Sequence, residues 1–143
     1  MRKVIILLIM CAMSLSAFAQ GWWEYKNGLA IIRSSFNDIT GDYINTNLTL
    51  YIGKDDSNKY DVAACVLAGE YDKPIFRKKQ NYVLVEDWKF DISMDGNIIW
   101  FDDASSLIDL LRLYNKTFYI SLPIEGVGVA SFFFDPNGYP LDW

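Results

Sequence analysis

Histidine is absent from this chain of 143 residues. Its absence removes the commonest general base, the usual zinc ligand and the usual partner of a nucleophilic serine or cysteine. Cysteine is almost as scarce, with Cys11 and Cys65 the only two. Positive charge is thin: 13 Lys and Arg stand against 18 Asp and Glu, a formal net charge of −5. An acidic surface disfavours nucleic acid and anionic lipid as partners, because both demand a basic one. It suits a basic protein or a cation. No glycine-rich phosphate loop is present, and hydrophobic runs approaching membrane length are limited to one.

That run opens the chain. Arg2 and Lys3 precede Val4-Ile5-Ile6-Leu7-Leu8-Ile9-Met10-Cys11-Ala12-Met13, and Ala17-Phe18-Ala19 supplies the small-x-small pattern before a signal-peptidase site. The run is shorter than the ~20 residues a spanning helix needs. Cys11 lies inside the hydrophobic region and follows Met10, which is not small, so a lipoprotein signal is set aside. The expectation is a cleaved signal peptide over residues 1–19 and a single domain over 20–143, periplasmic or secreted. Cleavage removes two cations and leaves 124 residues with a net charge of −7. Only Cys65 then remains, so no internal disulfide forms and packing must hold the fold. Nine Phe, nine Tyr and five Trp supply bulky core material.

Periodicity points to strands. Leu48, Leu50 and Ile52 alternate with polar or amphipathic neighbours, and a Gly53-to-Lys59 turn leads into a returning strand over 60–68. A third strand is expected at Tyr82-Val83-Leu84-Val85. Trp88, Phe90 and Ile92 alternate up to Asp95-Gly96, and Ile98-Ile99-Trp100-Phe101 follows, which is the pattern of a tight hairpin. Asp102 or Asp103 caps one helix, whose Leu107, Leu110, Leu111 and Tyr114 recur at helical spacing. The last two strands run over 117–122 and 127–134, before the Asp135-Pro136-Asn137-Gly138 turn. The expected fold is mainly β: an antiparallel β-sandwich of about seven strands, with one short helix at about 103–114 before the last strand pair.

Few residues offer chemistry. Cys65 lies in an apolar strand with no basic neighbour to lower its pKa, the setting of a core cysteine. The pairs Asp55-Asp56, Glu86-Asp87 and Asp102-Asp103 fall at turns and caps, where carboxylates are ordinarily solvated. One stretch matches the calcium-loop offsets. Asp91, Ser93, Asp95, Asn97 and Asp102 place oxygens around Gly96, although position three is Ser, position twelve is the shorter Asp, and the preceding residues alternate as a strand. Two further features bear on partners. Trp22 and Trp23 either cover the core as an edge strand or present an aromatic patch. Arg77, Lys78 and Lys79 form the one concentrated basic cluster, either a contact for an acidic partner or a solvated loop.

From Trp88 onward the chain resembles small periplasmic bacterial families, the type VI secretion-associated periplasmic family and the invasion-associated locus B family. The shared outline is a Trp-led strand with a Ser-x-Asp-Gly hairpin (Trp88, Ser93, Asp95, Gly96), a helix (Leu107, Ile108, Leu111) and a strand pair over 118–138. The resemblance implies a β-sandwich accessory or interaction protein without catalysis. The functional expectation is therefore an exported, non-enzymatic domain that needs no cofactor and binds another protein, a basic one by charge, as an accessory, inhibitor or immunity-type factor. The alternative is a calcium- or carbohydrate-binding β module built on the Asp91–Asp102 loop or the exposed aromatics.

Overall fold

A computed structural model describes residues 22–34, 36–37, 46–54, 59–76 and 81–142. The expected signal peptide and the Arg77, Lys78, Lys79 cluster lie outside the described residues. In chain order the elements are β1 (Glu24–Lys26), β2 (Leu29–Arg33), β3 (Phe36–Asn37), β4 (Thr46–Lys54), β5 (Tyr60–Gly69), β6 (Tyr82–Val85), β7 (Trp88–Asp95), β8 (Ile98–Phe101), α1 (Ala104–Leu111), β9 (Phe118–Ile124) and β10 (Gly128–Phe134). The protein is mainly β, its strand pairs are antiparallel, and its one described helix is short and precedes the last strand pair, all as the periodicity predicts. The strands are hydrogen-bonded into one sheet of ten, in the order β1-β2-β4-β5-β8-β7-β6-β9-β10-β3.

The two ends of that order belong to one stretch of chain. β2 pairs with β4, Ala30 opposite Ile52. Three residues beyond its end, β3 pairs instead with β10, Phe36 opposite Phe133. Ser34 marks the change of partner: its N–H donates to the Leu48 carbonyl at 2.9 Å, and its hydroxyl accepts from the Leu48 N–H at 3.1 Å. One stretch of chain therefore takes part in pairings near both ends of the strand order.

Alternation along the strands sends one set of side chains inward. Leu50 and Ile52 of β4, Cys65 of β5, Phe90 and Ile92 of β7, Phe118 and Ile120 of β9, and Phe132 and Phe134 of β10 share one core. Each such side chain contributes roughly 1.5–3 kcal/mol by leaving water. Phe118 and Phe134 stack with centroids 5.1 Å apart, and Phe90 meets Phe101 edge-on at 6.2 Å. The helix closes this core with Ala104, Leu107, Ile108 and Leu111. Its N-cap is Asp103, whose carboxylate accepts from the Ser106 N–H and from the Ser106 and Ser105 hydroxyls. The helix ends at Leu111, three residues earlier than the spacing predicts. There Leu113 and Tyr114 donate to Leu110 and Leu111, a tighter final turn that consumes the last carbonyls.

Two turns explain the hairpins. Asn27 and Gly28, at φ 54° and 76°, form the two-residue loop joining β1 to β2, the left-handed pair that a type I′ turn requires. Between β7 and β8 the loop is Gly96-Asn97, with Gly96 at φ 61°. Glycine thus holds the first loop position, and Asp95 is the last strand residue, one place earlier than an Asp-Gly turn would put it.

Candidate binding grooves

The calcium offsets do not converge. Asp91, Ser93 and Asp95 lie at alternate positions of β7, on one side of an extended strand. Four residues of strand separate Asp91 from Asp95 by about 13 Å, more than one coordination shell spans. Ser93 donates to Asp102 Oδ1 at 2.7 Å, while Asn97 sits in the turn at the far end of the ladder. Hairpin pairing, not a cradle, sets these five positions. Among the described residues no group of three or more His, Cys, Asp or Glu is placed to hold a metal ion. Cys65 is fully buried, and burial alone pushes its thiol far above the ordinary range, so it is held as the neutral thiol of a core residue.

The two N-terminal tryptophans divide the roles proposed for them. Trp23 is half-buried and packs on the main core, whereas Trp22 is 54% exposed. They stand at one side of a groove of about 690 Å³ whose other side is the segment after β10. That segment is tied down at several points. Asn137 donates to the Asp135 carboxylate at 2.9 Å, and Tyr139 donates to the Pro136 carbonyl at 3.0 Å. Leu141 is buried in the core with its N–H on the Leu111 carbonyl, and the Asp142 N–H donates to the Tyr25 hydroxyl at 2.9 Å. The fixed tail presents Pro136, Tyr139 and Pro140 opposite Trp22 and Tyr25, with Arg112 and Asp142 the charged groups of the lining. Tyr139 is 68% exposed. From sequence, Tyr139 to Trp143 reads as a plain tail; nothing local marks it as half of a groove with residues more than a hundred positions earlier.

A second groove, of about 640 Å³, opens beside α1. Trp88 and Leu113, 62% and 81% exposed, are its apolar features, and Asp91, Asp102, Asp103 and Asp109 are its carboxylates. The serine hydrogen bonds at the helix N-terminus hold the Asp103 carboxyl below the usual range, so it is anionic at neutral pH. Lys89 also borders this groove, and its ammonium lies over the Tyr82 ring, 4.8 Å from the centroid. Arg112 approaches Asp109 at 3.9 Å, an exposed pair of little energetic weight. The two grooves meet at the C-terminal turn of α1: Arg112 lines one, Leu113 and Asp109 the other.

In the second groove the Ser106 hydroxyl donates to the Asp103 carboxylate that caps α1. What both supply is contact: rigid aromatic and proline faces on one side, apolar anchors within a negative field on the other. No family model, curated protein or solved structure matches the chain.

Proposed function

We propose that the chain is an exported, non-enzymatic binding protein, periplasmic or secreted, whose partner is another protein carrying basic residues. The observation that carries this reading is the pair of grooves meeting at the end of α1. Exposed Trp22, Tyr139, Trp88 and Leu113 lie around one helix end, with four aspartates on one flank. Exposed Trp and Tyr are the residues on which interface energy concentrates, and the carboxylates steer cationic partners to them. An accessory, inhibitor or immunity-type role fits this surface, as the resemblance of the C-terminal half implies.

The test compares the wild-type chain with Trp22→Ala/Tyr139→Ala and with Trp88→Ala/Leu113→Ala as baits in an envelope extract. A protein retained by the wild type and lost with either pair, at unchanged melting temperature, supports the reading. Equal retention by all three baits rejects it. A second reading rests on the first groove alone. Flat rings of Trp22, Tyr25 and Tyr139 beside Arg112 and Asp142 also suit a sugar, with rings for stacking and charged groups for hydroxyls. Glycan-dependent thermal stabilisation that disappears in Trp22→Ala would favour it.

A further inference from the structure

The segment after β10 is one wall of the first groove, and from Asn137 to Asp142 its backbone has no N–H left to offer. Asn137, Gly138, Tyr139, Leu141 and Asp142 all donate within the fold, and Pro140 has no N–H. A peptide that adds as a β-strand is held by main-chain pairing, so this wall is closed to that mode. The side chains offer other contacts. Trp22, Tyr25 and Tyr139 bring rings, and Pro136 and Pro140 bring apolar faces. Trp22, Trp23 and Arg112 also carry polar groups that only donate, against the one carboxylate of Asp142. The Trp23 Nε1–H is enclosed without a partner among the described residues, a donor left over for an acceptor that the fold does not provide.

Rings and donors with few side-chain acceptors select among peptide conformations. A helix spends its carbonyls on its own hydrogen bonds, so it would leave the indole and guanidinium donors unanswered. A polyproline II segment makes no internal hydrogen bonds, and its carbonyls are free to accept. Its prolines carry no N–H that would need an acceptor, and their rings pack on aromatic faces. Such a segment is also preformed, so it loses little conformational freedom on a wall that is itself tied down. Charge adds a second requirement. Inside the first groove Arg112 and Asp142 offset each other, but past the end of α1 the second groove holds Asp91, Asp102, Asp103 and Asp109. Among the described residues of that lining Lys89 is the one cation, and its ammonium lies over the Tyr82 ring. Asp109 is 78% exposed. A segment that runs from the first groove past α1 enters a negative field.

Resting on the protein-binding reading above, we propose that the first groove seats a proline-rich, polyproline II segment of the partner, with a basic residue beside the prolines lying on Asp109 and its neighbouring aspartates. The recognised element is then a short linear stretch of the partner, and the two grooves act as one site: rings and donors read the prolines, and carboxylates hold the basic flank.

Titration calorimetry on the full chain tests this with a decaproline peptide flanked by arginines at both ends, a plain decaproline, and an alternating Gly-Ser peptide with the same arginines. The flanked decaproline is expected to bind. Trp22→Ala/Tyr139→Ala, at two exposed positions, should weaken it about tenfold or more at unchanged melting temperature, whereas Tyr139→Phe keeps the ring and most of the affinity. Asp109→Asn should bring it about threefold closer to the plain decaproline. Equal binding of the Gly-Ser peptide, which would reduce the site to charge, overturns the proposal. So does no binding of the flanked decaproline up to about 1 mM, or binding unchanged in Trp22→Ala/Tyr139→Ala. A chito-oligosaccharide bound through Trp22 by a chain that ignores the peptide also overturns it and gives the groove to a sugar. An envelope protein retained through Trp22 and Tyr139 by a chain that ignores the peptide overturns this proposal alone and leaves the broader reading standing.

Discussion

Replacing Tyr51 by Phe should make the protein markedly less sensitive to alkali. The Tyr51 side chain on β4 is 3% exposed, and desolvation raises its phenol from 10 to about 12, against smaller opposing contributions from Arg33 and Thr49. An acid with a raised folded pKa adds stability that is complete below the unfolded value and is lost as pH climbs through the folded one. The window is therefore pH 10 to 12. Near pH 11 the unfolded phenol is about nine-tenths ionised and the folded one about one-tenth. One unit of pKa difference is then expressed, a loss of about 1.4 kcal/mol, rising towards about 2.7 kcal/mol above pH 12. Tyr51→Phe forfeits the Thr49 hydrogen bond, about 1 kcal/mol at neutral pH, but escapes this alkaline loss. The buried Cys65 thiol contributes equally in both chains and cancels from the comparison. Urea unfolding midpoints between pH 8 and 11.5 read the difference. Parallel decline of the two chains would mean that the phenol titrates in water, and the reasoning from the burial of Tyr51 would fail with it.

Three other outcomes follow from the packing and the turns. Phe118→Ala removes one ring of the Phe118–Phe134 stack from a fully buried site and should cost about 3–5 kcal/mol, lowering Tm by more than about 10 °C in a calorimetric scan. Gly96→Ala meets no atom within 4 Å but must hold φ at 61°, so a loss of about 1 kcal/mol by chemical denaturation isolates the backbone contribution of that turn. Asp103→Ala should lower Tm at neutral pH. Because the Ser106 hydrogen bonds depress the Asp103 pKa, the gap between wild type and variant should narrow as pH falls below about 3.8, and a gap independent of pH would show that the carboxylate is not the cap.

How much of this was legible beforehand depended on range. The β7–β8 pair, the strands after Thr46 and Tyr60, and the Asp103 cap announce themselves in windows of a dozen residues, where periodicity and cap chemistry act. Asn27-Gly28 is an equally plain hairpin signal in itself, but the residues before it, Trp22 to Lys26, lack the alternation that would mark a strand. The change of partner at Ser34 left no trace, since nothing near Phe36 records that its partner is Phe133. The grooves were half legible: Trp22 stood out as an aromatic with a choice of roles, but Tyr139 acquires meaning only when the tail is hydrogen-bonded back to Tyr25. The calcium offsets misled because a spacing rule written for a loop was met by residues on a strand, where the same intervals spread apart rather than converge.

The strand that changes partner at Ser34 also sets an order of events. Among the described residues β3 is joined to the sheet through β10 alone, about a hundred residues later in the chain. Contacts of such separation form late, because the entropy of closing the loop must be met before they return anything. A chain emerging from a ribosome or a translocon thus holds β3 as an unpaired edge until its last strand has come through, and an unpaired edge recruits whatever strand is nearest. The fold is best served by a route that delivers the whole chain unfolded and lets it close once.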